Sequence, residues 1–326
     1  MKLAAWHRAR GDEIHFYTGD RGAERHLGEP AYDHVYGSAI FSFSAPLVEK
    51  FRAQWPGAVV GGTWDKSPIT VEDVTGGAYE HYDYSIAPKK FHASIGYTQR
   101  GCRLNCGFCV VPWKEGKPVA VNTVARIWRG PGFPKHIHLI DNDFFGQPRA
   151  DWEARIAEIR DGEFKVCFNQ GINVRALTKN AAVALASVQY RDDGFRERRL
   201  YTAWDNIGDE RVFFRGVDFL ESAGVPAKHL MAYVLIGFDP GETWERLLYR
   251  FRRMVARGIQ PYPMVFGDKR RSLPLGGCNQ RLEQRNLGEF QRWTVTGLYR
   301  AVEFEDYDRS SNRMNKGAPD LFEVPA

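Results

Sequence analysis

Three of the five cysteines in this chain lie in one short run, and their spacing constrains the chain more than any other feature. Cys102, Cys106 and Cys109 form a C-x3-C-x2-C pattern. Three thiolates on one tight loop can each ligate one iron of a cubane cluster, and the usual fourth cysteine is missing from the run. One iron would keep an open position, as catalytic metal sites do. The run predicts a [4Fe–4S] cluster that binds a small molecule.

Two other interpretations of the cysteines are open. A structural zinc site would need a fourth ligand, for which His92 and His138 are candidates, since Cys167 and Cys278 stand alone in the sequence. A disulfide framework is disfavoured because the number of cysteines is odd and a chain of 326 residues needs no such support. Iron remains the preferred metal because the spacing is specific to clusters.

The composition is that of an ordinary globular protein, with 43% hydrophobic and 26% charged residues. No apolar run is long enough to span a bilayer, and residues 1–13 lack the apolar segment of a signal peptide. We therefore expect a cytoplasmic protein without membrane contact, in a compartment that keeps thiols reduced. The net charge of +5, from 45 basic and 40 acidic residues, is too small to indicate nucleic acid by itself.

Apolar periodicity predicts three regions along the chain. Residues 1–88 are expected to form a small α/β domain, with strands near 2–6, 13–17 and 57–62, a helix at 45–55 and a linker at 87–90. Residues 89–270 alternate between strand and helix patterns, which is typical of parallel βα units. Residues 271–326 are expected to form a helical extension, with a helix at 284–303 and a loose tail from 309.

The six strand patterns of the central region, with helix patterns between them, predict a partial (β/α)6 barrel, because six strands are too few for a complete eight-stranded barrel. Functional loops of such proteins follow the carboxyl ends of strands, and the cysteine run follows the first of these strands. The predicted helices lie near 122–129, 151–160, 180–190, 210–223 and 243–257. The predicted strands are 91–97, 136–140, 164–169, 200–204, 229–236 and 261–266.

The cysteine run, with an aromatic residue before its last cysteine, resembles that of the radical S-adenosylmethionine superfamily. The resemblance continues in Val110-Val111-Pro112, in the acidic second-strand motif Leu139-Ile140-Asp141-Asn142-Asp143-Phe144, and in Val234-Leu235-Ile236-Gly237-Phe238 followed by Gly241-Glu242-Thr243. These stretches cover about residues 91–267 in the expected order. They are similar to the branch that contains methylthiotransferases and enzymes with cobalamin-type N-terminal domains.

The resemblance implies that S-adenosylmethionine binds the open iron through its amino and carboxylate groups. An electron from the reduced cluster would cleave the cofactor to a 5′-deoxyadenosyl radical, which abstracts hydrogen from a substrate. An electron donor such as flavodoxin or ferredoxin would reduce the cluster. A closed barrel lumen is required, because water and other molecules would quench the radical.

The same resemblance gives roles to particular residues. Cys102, Cys106 and Cys109 are the expected metal ligands. The other expected cofactor-binding residues are Phe108 beside the adenine, Asp141 and Asp143 towards the ammonium, Asn169 in a polar cluster where the third strand ends, Arg175 of the same cluster towards the carboxylate, Thr202 and Asp205 at the ribose, and Ile236 and Gly237 flanking the adenine. Three alternatives stay open, namely a core role for Phe108, a helix cap at one aspartate, and a solvated Arg175.

The N-terminal region is similar to a shortened cobalamin-binding domain that lacks the D-x-H-x-x-G loop. Ala5 stands where the aspartate would be, and the glycine after His7 is Gly11 instead of one three residues on. We therefore expect a degenerate domain without cobalamin, in which His7 is a surface or packed histidine.

The two remaining cysteines have different surroundings in the sequence. Cys167 lies in an apolar strand and is expected to be a small buried hydrophobe. Cys278 lies in a glycine-rich loop and is a candidate catalytic thiol for radical quenching or group transfer, although it could equally be incidental. Two cysteines cannot supply a second three-cysteine cluster, which argues against methylthiotransfer and sulfur insertion.

The substrate is not specified by any motif. An aromatic content of 13% and the basic cluster Lys269-Arg270-Arg271 slightly favour a nucleotide or nucleic acid over a peptide or small metabolite. One alternative is a cobalamin-dependent radical methyltransferase that uses a non-standard site. Another, from a different class, is a non-catalytic iron–sulfur or zinc module for electron transfer or partner binding.

Overall fold

Parallel strands alternate with helices in the computed structural model, which describes residues 1–17, 24–65, 67–86 and 91–308. The fold is mixed α/β, as the sequence pattern predicts. The strands are β1 (Tyr36–Ala39), β2 (Val59–Gly62), β3 (Ser94–Gly96), β4 (Gln99–Arg100), β5 (Val119–Ala120), β6 (His136–Leu139), β7 (Lys165–Phe168), β8 (Gln189–Tyr190), β9 (Leu200–Ala203), β10 (Leu230–Ile236) and β11 (Gln260–Val265). The α-helices are α1 (Lys2–Arg8), α2 (Ala45–Gln54), α3 (Val71–Thr75), α4 (Val111–Lys114), α5 (Val124–Ile127), α6 (Arg149–Asp161), α7 (Lys179–Ala186), α8 (Glu210–Ser222), α9 (Trp244–Ala256) and α10 (Leu287–Val295).

Two parallel sheets make up the central region. One has the order β3-β6-β7-β8 and the other the order β11-β10-β9. The loop after β7 joins them, because the Ile172 amide donates to the Tyr201 carbonyl at 2.7 Å. All six strands predicted for this region are present, each within a residue or two of its expected position except the first, which is limited to Ser94–Gly96.

One face of each sheet is covered by helices. Along β10 the buried residues alternate with half-buried ones, so that Leu230, Ala232, Val234 and Ile236 belong to the core while Met231, Tyr233 and Leu235 point the other way. Helix α9 contributes buried apolar side chains to the same core. We call the opposite face of the two sheets, which carries Tyr233, the inner face.

The N-terminal region contains a two-stranded parallel sheet, β1-β2, with α1, α2 and α3 around it. The predicted helix at 45–55 and the strand ending at Gly62 are confirmed. The strand predicted at 2–6 is wrong, since Lys2–Arg8 is helical. Leu, Ala and Arg in that segment favour a helix, and it has no β-branched residue. Residues 13–17 likewise form no strand.

The C-terminal region begins with extended chain and a short 3-10 turn before α10. The predicted helix at 284–303 is too long, because α10 covers only Leu287–Val295. Asn286 caps its start, and Gly297, with φ of 74°, ends it in the left-handed conformation that glycine adopts readily. The linker predicted at 87–90 and the tail predicted from 309 lie outside the described residues.

Specific polar contacts attach the N-terminal region to the central one. The Lys114 ammonium donates to the carbonyls of Gly62, Ser67 and Ile69, at 2.5, 3.4 and 3.3 Å. Arg100 donates to Glu72 at 2.7 Å. In the part of the chain that the structure describes, no helix is both long and apolar enough to cross a membrane.

Candidate functional site

The cysteine loop is closed at its base by the short antiparallel pair β4-β5. Gly101 begins it with φ of 81°, and a side chain at this position would collide with the Lys117 carbonyl. The Cys102 amide donates to the Gly116 carbonyl at 3.1 Å, and the Cys109 amide donates to the Cys106 carbonyl at 2.9 Å. Backbone bonding thus holds the three cysteines in one compact turn.

Two sulfurs of the loop accept an N–H group. The Leu104 amide donates to Cys102 Sγ at 3.4 Å, and Arg175 Nη2 donates to Cys106 Sγ at 3.5 Å. The Val111 amide acts on the third thiol, Cys109, by lowering its pKa. Hydrogen bonds at sulfur stabilise thiolates and recur around iron–sulfur clusters, where they tune the potential. The donor set of the loop therefore fits thiolate ligation of iron.

Burial raises the pKa of the Cys102 and Cys109 thiols, and the neighbouring thiols of the loop raise it further. Binding of a metal or cluster would therefore have to displace protons from these thiols. The three thiols suit iron by their chemistry, but as placed among the described residues, no group of three or more His, Cys, Asp or Glu side chains is gathered to hold a metal ion. All five cysteines lie within the described ranges, and all are free.

Asp141 lies behind the loop and not at its surface. The amides of Thr98 and Gln99 donate to Asp141 Oδ1 at 2.6 and 3.1 Å, and the Thr98 hydroxyl donates to Oδ2. Complete burial raises the pKa of this carboxyl to about 7, against the effect of its hydrogen bonds. Through these hydrogen bonds, Asp141 fixes the backbone where β4 begins.

Asp143 is engaged by the loop itself. The Arg103 amide, Nε and Nη2 donate to its carboxylate at 3.1, 2.8 and 3.0 Å. The Asp143 amide in turn donates to the Gln99 side chain at 2.9 Å. The Gln99 amide group also donates to the carbonyls of Arg100 and Gly101. Both aspartates of the second-strand motif therefore hold the loop through hydrogen bonds, and the expected contact with a cofactor ammonium stays a prediction.

Polar groups at the ends of β7 and β9 approach the loop. Arg175 reaches Cys106, and its Nη1 donates to Asp209 at 2.6 Å. Asp205 lies near enough to Cys109 to raise the pKa of that thiol, and burial raises the pKa of Asp205 itself. The structure therefore brings Arg175 and Asp205 together with the cysteines, as the sequence predicts for the ends of neighbouring parallel strands.

Asn169 lies on the same side of the sheet, where its Oδ1 is 3.0 Å from His138 Nδ1. Burial lowers the pKa of His138, which favours the neutral imidazole. Asn173, four residues further along the chain, has a buried amide nitrogen without a hydrogen-bond partner among the described residues. These groups can donate and accept hydrogen bonds without carrying charge.

An aromatic contact connects the loop to the end of β10. The Phe108 ring meets the Phe238 ring edge to face, with centroids 5.3 Å apart, and Phe108 is 39% exposed. A core role for Phe108 is therefore wrong. Gly237, with φ of 82°, passes so close to Leu287 that a side chain would collide with it. Glycine is needed at this position for packing as well as for conformation.

Three of the predicted site residues are placed elsewhere. Thr202 and Ile236 are buried on the helix-covered side of the second sheet, where Thr202 pairs in register with the core residue Ala232. Their side chains therefore point away from the inner face, because residues alternate along a strand. Cys278 lies beside Glu245, Arg252 and Glu305, which belong to α9 and the C-terminal region, and burial raises the pKa of its thiol. The structure does not bring it to the cysteine loop.

Two residues that the sequence did not single out support the loop. Arg103, within the cysteine run, binds Asp143. Glu115, at the end of α4, accepts from the Gly101 amide at 3.1 Å and from the Asn142 side chain at 2.7 Å. Both are charged residues in or close to the cysteine motif, and this closeness in sequence is the signal that could have singled them out. Their partners are distant in sequence, so the pairings required the fold.

The inner face carries an aromatic group on three neighbouring strands. Tyr201 and Tyr233 are stacked with centroids 6.1 Å apart, and Tyr233 meets Tyr262 edge to face at 5.7 Å. Burial raises the pKa of Tyr201 and Tyr233, so these phenols are neutral at physiological pH. Cys167 belongs to the other sheet, where it pairs in register with His138 of the neighbouring strand β6, and it lies near the same rings. Its burial raises the pKa of the thiol to about 12.

Compared with protein-family models, with curated proteins and with solved structures, the chain shows no significant match. What this site does must therefore be argued from its own geometry and chemistry.

Proposed function

We propose that this chain is a radical S-adenosylmethionine enzyme. The observation that carries the proposal is the cysteine loop itself, in which three cysteines stand at C-x3-C-x2-C spacing and two of them, Cys102 and Cys106, accept a hydrogen bond at sulfur. The loop lies beyond the carboxyl end of the parallel strand β3, after the short strand β4, and functional loops of such folds gather at the carboxyl ends of strands. Because the run contains no fourth cysteine, one iron of a cubane would be left for a small molecule.

We extend the proposal to the fold, as a partial (β/α)6 barrel around the inner face. Two hydrogen bonds between the sheets support it. The Ile172 amide, after β7, donates to the Tyr201 carbonyl at 2.7 Å, and the Asp193 amide, after β8, donates to the Tyr201 hydroxyl at 3.3 Å. Inner-face residues of the two sheets are thus near each other, as curvature of the strands around a common interior would require.

The chain's own residues would hold and orient the reactants. When bound, the cluster and S-adenosylmethionine would supply an electron and a 5′-deoxyadenosyl radical. The thiolates of the cysteine loop would hold the iron, and Asp205 and Asn169 would offer hydrogen bonds to the polar groups of the cofactor. Phe108 and Phe238 would provide an aromatic contact for the adenine. A donor such as flavodoxin or ferredoxin would deliver the electron.

For the substrate we favour a nucleotide or nucleic acid, bound at the inner face. Tyr201, Tyr233 and Tyr262 offer aromatic surfaces on which a planar base can stack. Lys165 and Arg191, at the other end of that face, lie near enough to His136 to lower its pKa in addition to the effect of burial. Their positive charge suits a phosphate group.

Anaerobic reconstitution with iron and sulfide tests the cluster and the chemistry together. We expect about four irons per chain and, after reduction in the presence of S-adenosylmethionine, formation of 5′-deoxyadenosine. The variant C106A should lose both. The variant C278A is the matched control, since Cys278 lies away from the loop, and it should retain its iron.

The same preparation separates the alternatives. A four-iron cluster without any 5′-deoxyadenosine would contradict the proposal and favour an electron-transfer or binding module. Zinc bound in place of iron would show that the loop holds no iron–sulfur cluster. Cobalamin retained in stoichiometric amount would favour the methyltransferase. His7 argues against this last outcome, because its Nδ1 and Nε2 are engaged by Asp12 at 2.6 Å and by Tyr36 at 3.2 Å.

The substrate is tested by comparing cells that express the wild-type protein with cells that express C106A. We expect a modified nucleoside, in the free pool or in digested nucleic acid, that is present only with the wild type. The double variant Y201L/Y233L, with an intact cluster, should also lack it. A difference confined to peptides would overturn the nucleotide assignment and leave the radical chemistry standing.

A further inference from the structure

Arg175 occupies a position that its expected role as a partner for the cofactor carboxylate does not explain. Its two terminal nitrogens point to two different groups of the protein. Nη2 donates to Cys106 Sγ at 3.5 Å, and Nη1 donates to Asp209 at 2.6 Å. The side chain is 20% exposed. Each terminal nitrogen thus donates one of its N–H groups to the protein, and these two contacts fix the orientation of the guanidinium.

The backbone around Arg175 is held by α8. Gly216 of this helix lies directly against Val174, where any side chain would collide with the Val174 carbonyl. Arg215 of the same helix donates to the Arg175 carbonyl at 3.1 Å. Asp209, which binds the guanidinium, precedes the first residue of α8. One helix therefore fixes both the backbone and the charged end of Arg175, so the contact with Cys106 is supported on two sides.

A guanidinium at a cluster sulfur changes the energy of the reduced state. Reduction adds one negative charge to the cluster and its thiolates, and a fixed positive charge with an N–H donor stabilises that extra charge. Arginine is always protonated and holds its geometry rigidly, so the effect does not depend on pH near neutrality. Asp209 offsets part of the charge, but it binds Nη1, whereas the sulfur accepts directly from Nη2.

We infer that Arg175 is a positioning residue that raises the reduction potential of the cluster through its contact with Cys106. This inference rests on the proposed function, because it requires a cluster on the cysteine loop. It assigns Arg175 to electron transfer into the cluster instead of to recognition of the cofactor carboxylate.

The test is a potentiometric titration of the reconstituted cluster, followed by electron paramagnetic resonance of the reduced state. The variant R175M removes the charge and the donor while keeping a side chain of similar length. We expect its midpoint to be more negative, with the reduction equilibrium constant about tenfold lower, which is about 59 mV for a one-electron couple. The variant R175K keeps the charge without the planar fork, and its midpoint should fall between those of R175M and the wild type.

The control is R211M, which removes one positive charge from an exposed position on α8. It should titrate like the wild type, since only a charge close to the sulfur acts strongly. Equal midpoints for R175M and the wild type, with four irons in each, would overturn the inference and leave the proposed function intact. An equal shift in R211M would also overturn it.

Two further outcomes are decisive. If R175M holds no cluster, the inference is judged on R175K, whose midpoint must lie below that of the wild type. If the wild-type protein itself holds no four-iron cluster, the proposed function and this inference both fail.

Discussion

At the scale of single residues, the two aspartates after β6 share a motif but differ in environment. Asp143 is paired with Arg103, a permanent cation. In the part of the chain that the structure describes, the carboxylate of Asp141 has no cationic partner and accepts only from Thr98 and Gln99. Burial therefore raises the pKa of Asp141 to about 7, far above the ordinary value of an aspartate.

This difference predicts a pH dependence of stability. The raised pKa of Asp141 contributes stability that is fully present below the unfolded-state pKa of about 4 and is lost as pH rises through about 7. Relative to D141N, which cannot ionise, the wild-type free energy of unfolding should fall by roughly 2 to 4 kcal/mol between pH 4 and pH 8. Urea unfolding across that range measures it. A difference between the two proteins that stays constant with pH would contradict the assignment.

Gly101 gives a second prediction at this scale. G101A should destabilise the protein by more than about 2 kcal/mol and reduce the iron bound on reconstitution, because its methyl group would collide with the Lys117 carbonyl. G116A is the matched control, since Gly116 has a similar φ of 74° and open space around it. G116A should lower the free energy of unfolding by only about 1 kcal/mol, and the variant should retain its iron. Urea unfolding measures the stability of the two variants, and iron analysis measures their cluster content. Equal losses in G101A and G116A would show that the left-handed backbone conformation, and not the collision with the Lys117 carbonyl, sets the cost.

At the scale of elements, a buried ion pair joins α9 to the ends of β9 and β10. Arg250, 1% exposed, binds Glu242 and donates to the carbonyls of Trp204 and Asp205 at 2.9 Å. The Gly237 amide donates to Glu242 at 3.1 Å. Arg250, directly and through Glu242, thus fixes the two segments that contain Asp205 and Gly237.

Removing one partner of this pair should be costly. R250M leaves a buried carboxylate without its cation and several carbonyls without a donor, so we expect a loss of roughly 3 to 5 kcal/mol in the free energy of unfolding. R149M breaks the exposed pair of Arg149 with Glu153 on α6 and should cost less than about 1 kcal/mol. The double variant R250M/E242L should be more stable than R250M, because it removes the stranded charge. Chemical denaturation of the three variants is the measurement, and a small effect of R250M would show that water reaches the pair.

At the scale of the whole molecule, Lys114 links the N-terminal region to the segment after the cysteine loop. Its ammonium donates to the carbonyl of Gly62, the last residue of β2, and to the carbonyls of Ser67 and Ile69 beyond it. K114M should leave those carbonyls without their donor and loosen the attachment, so that limited proteolysis within residues 1–86 becomes several-fold faster. K117M, which changes an exposed lysine nearby, should be cleaved at the wild-type rate. Equal rates for K114M and the wild type would assign the attachment to other contacts.

The fold follows from the sequence where local patterns are strong. The alternation of apolar strands and helices after residue 91 predicts the parallel α/β region, and all six strands are found there. Short or mixed segments were predicted less well. Lys2–Arg8 is a helix because its residues favour one and none is β-branched, and α10 ends at Val295 because Gly297 follows in the left-handed conformation.

The sequence by itself determined that three thiols share one loop after a parallel strand, since spacing and strand order are local properties. It did not determine which distant charges meet that loop. Tertiary structure decided that Asp141 and Asp143 brace the loop and that Arg175 contacts Cys106. It also placed Cys167, instead of Cys278, near the inner-face tyrosines. The physical reason is that these pairings join residues tens of positions apart, and only the packing of strands and helices sets the distances between them.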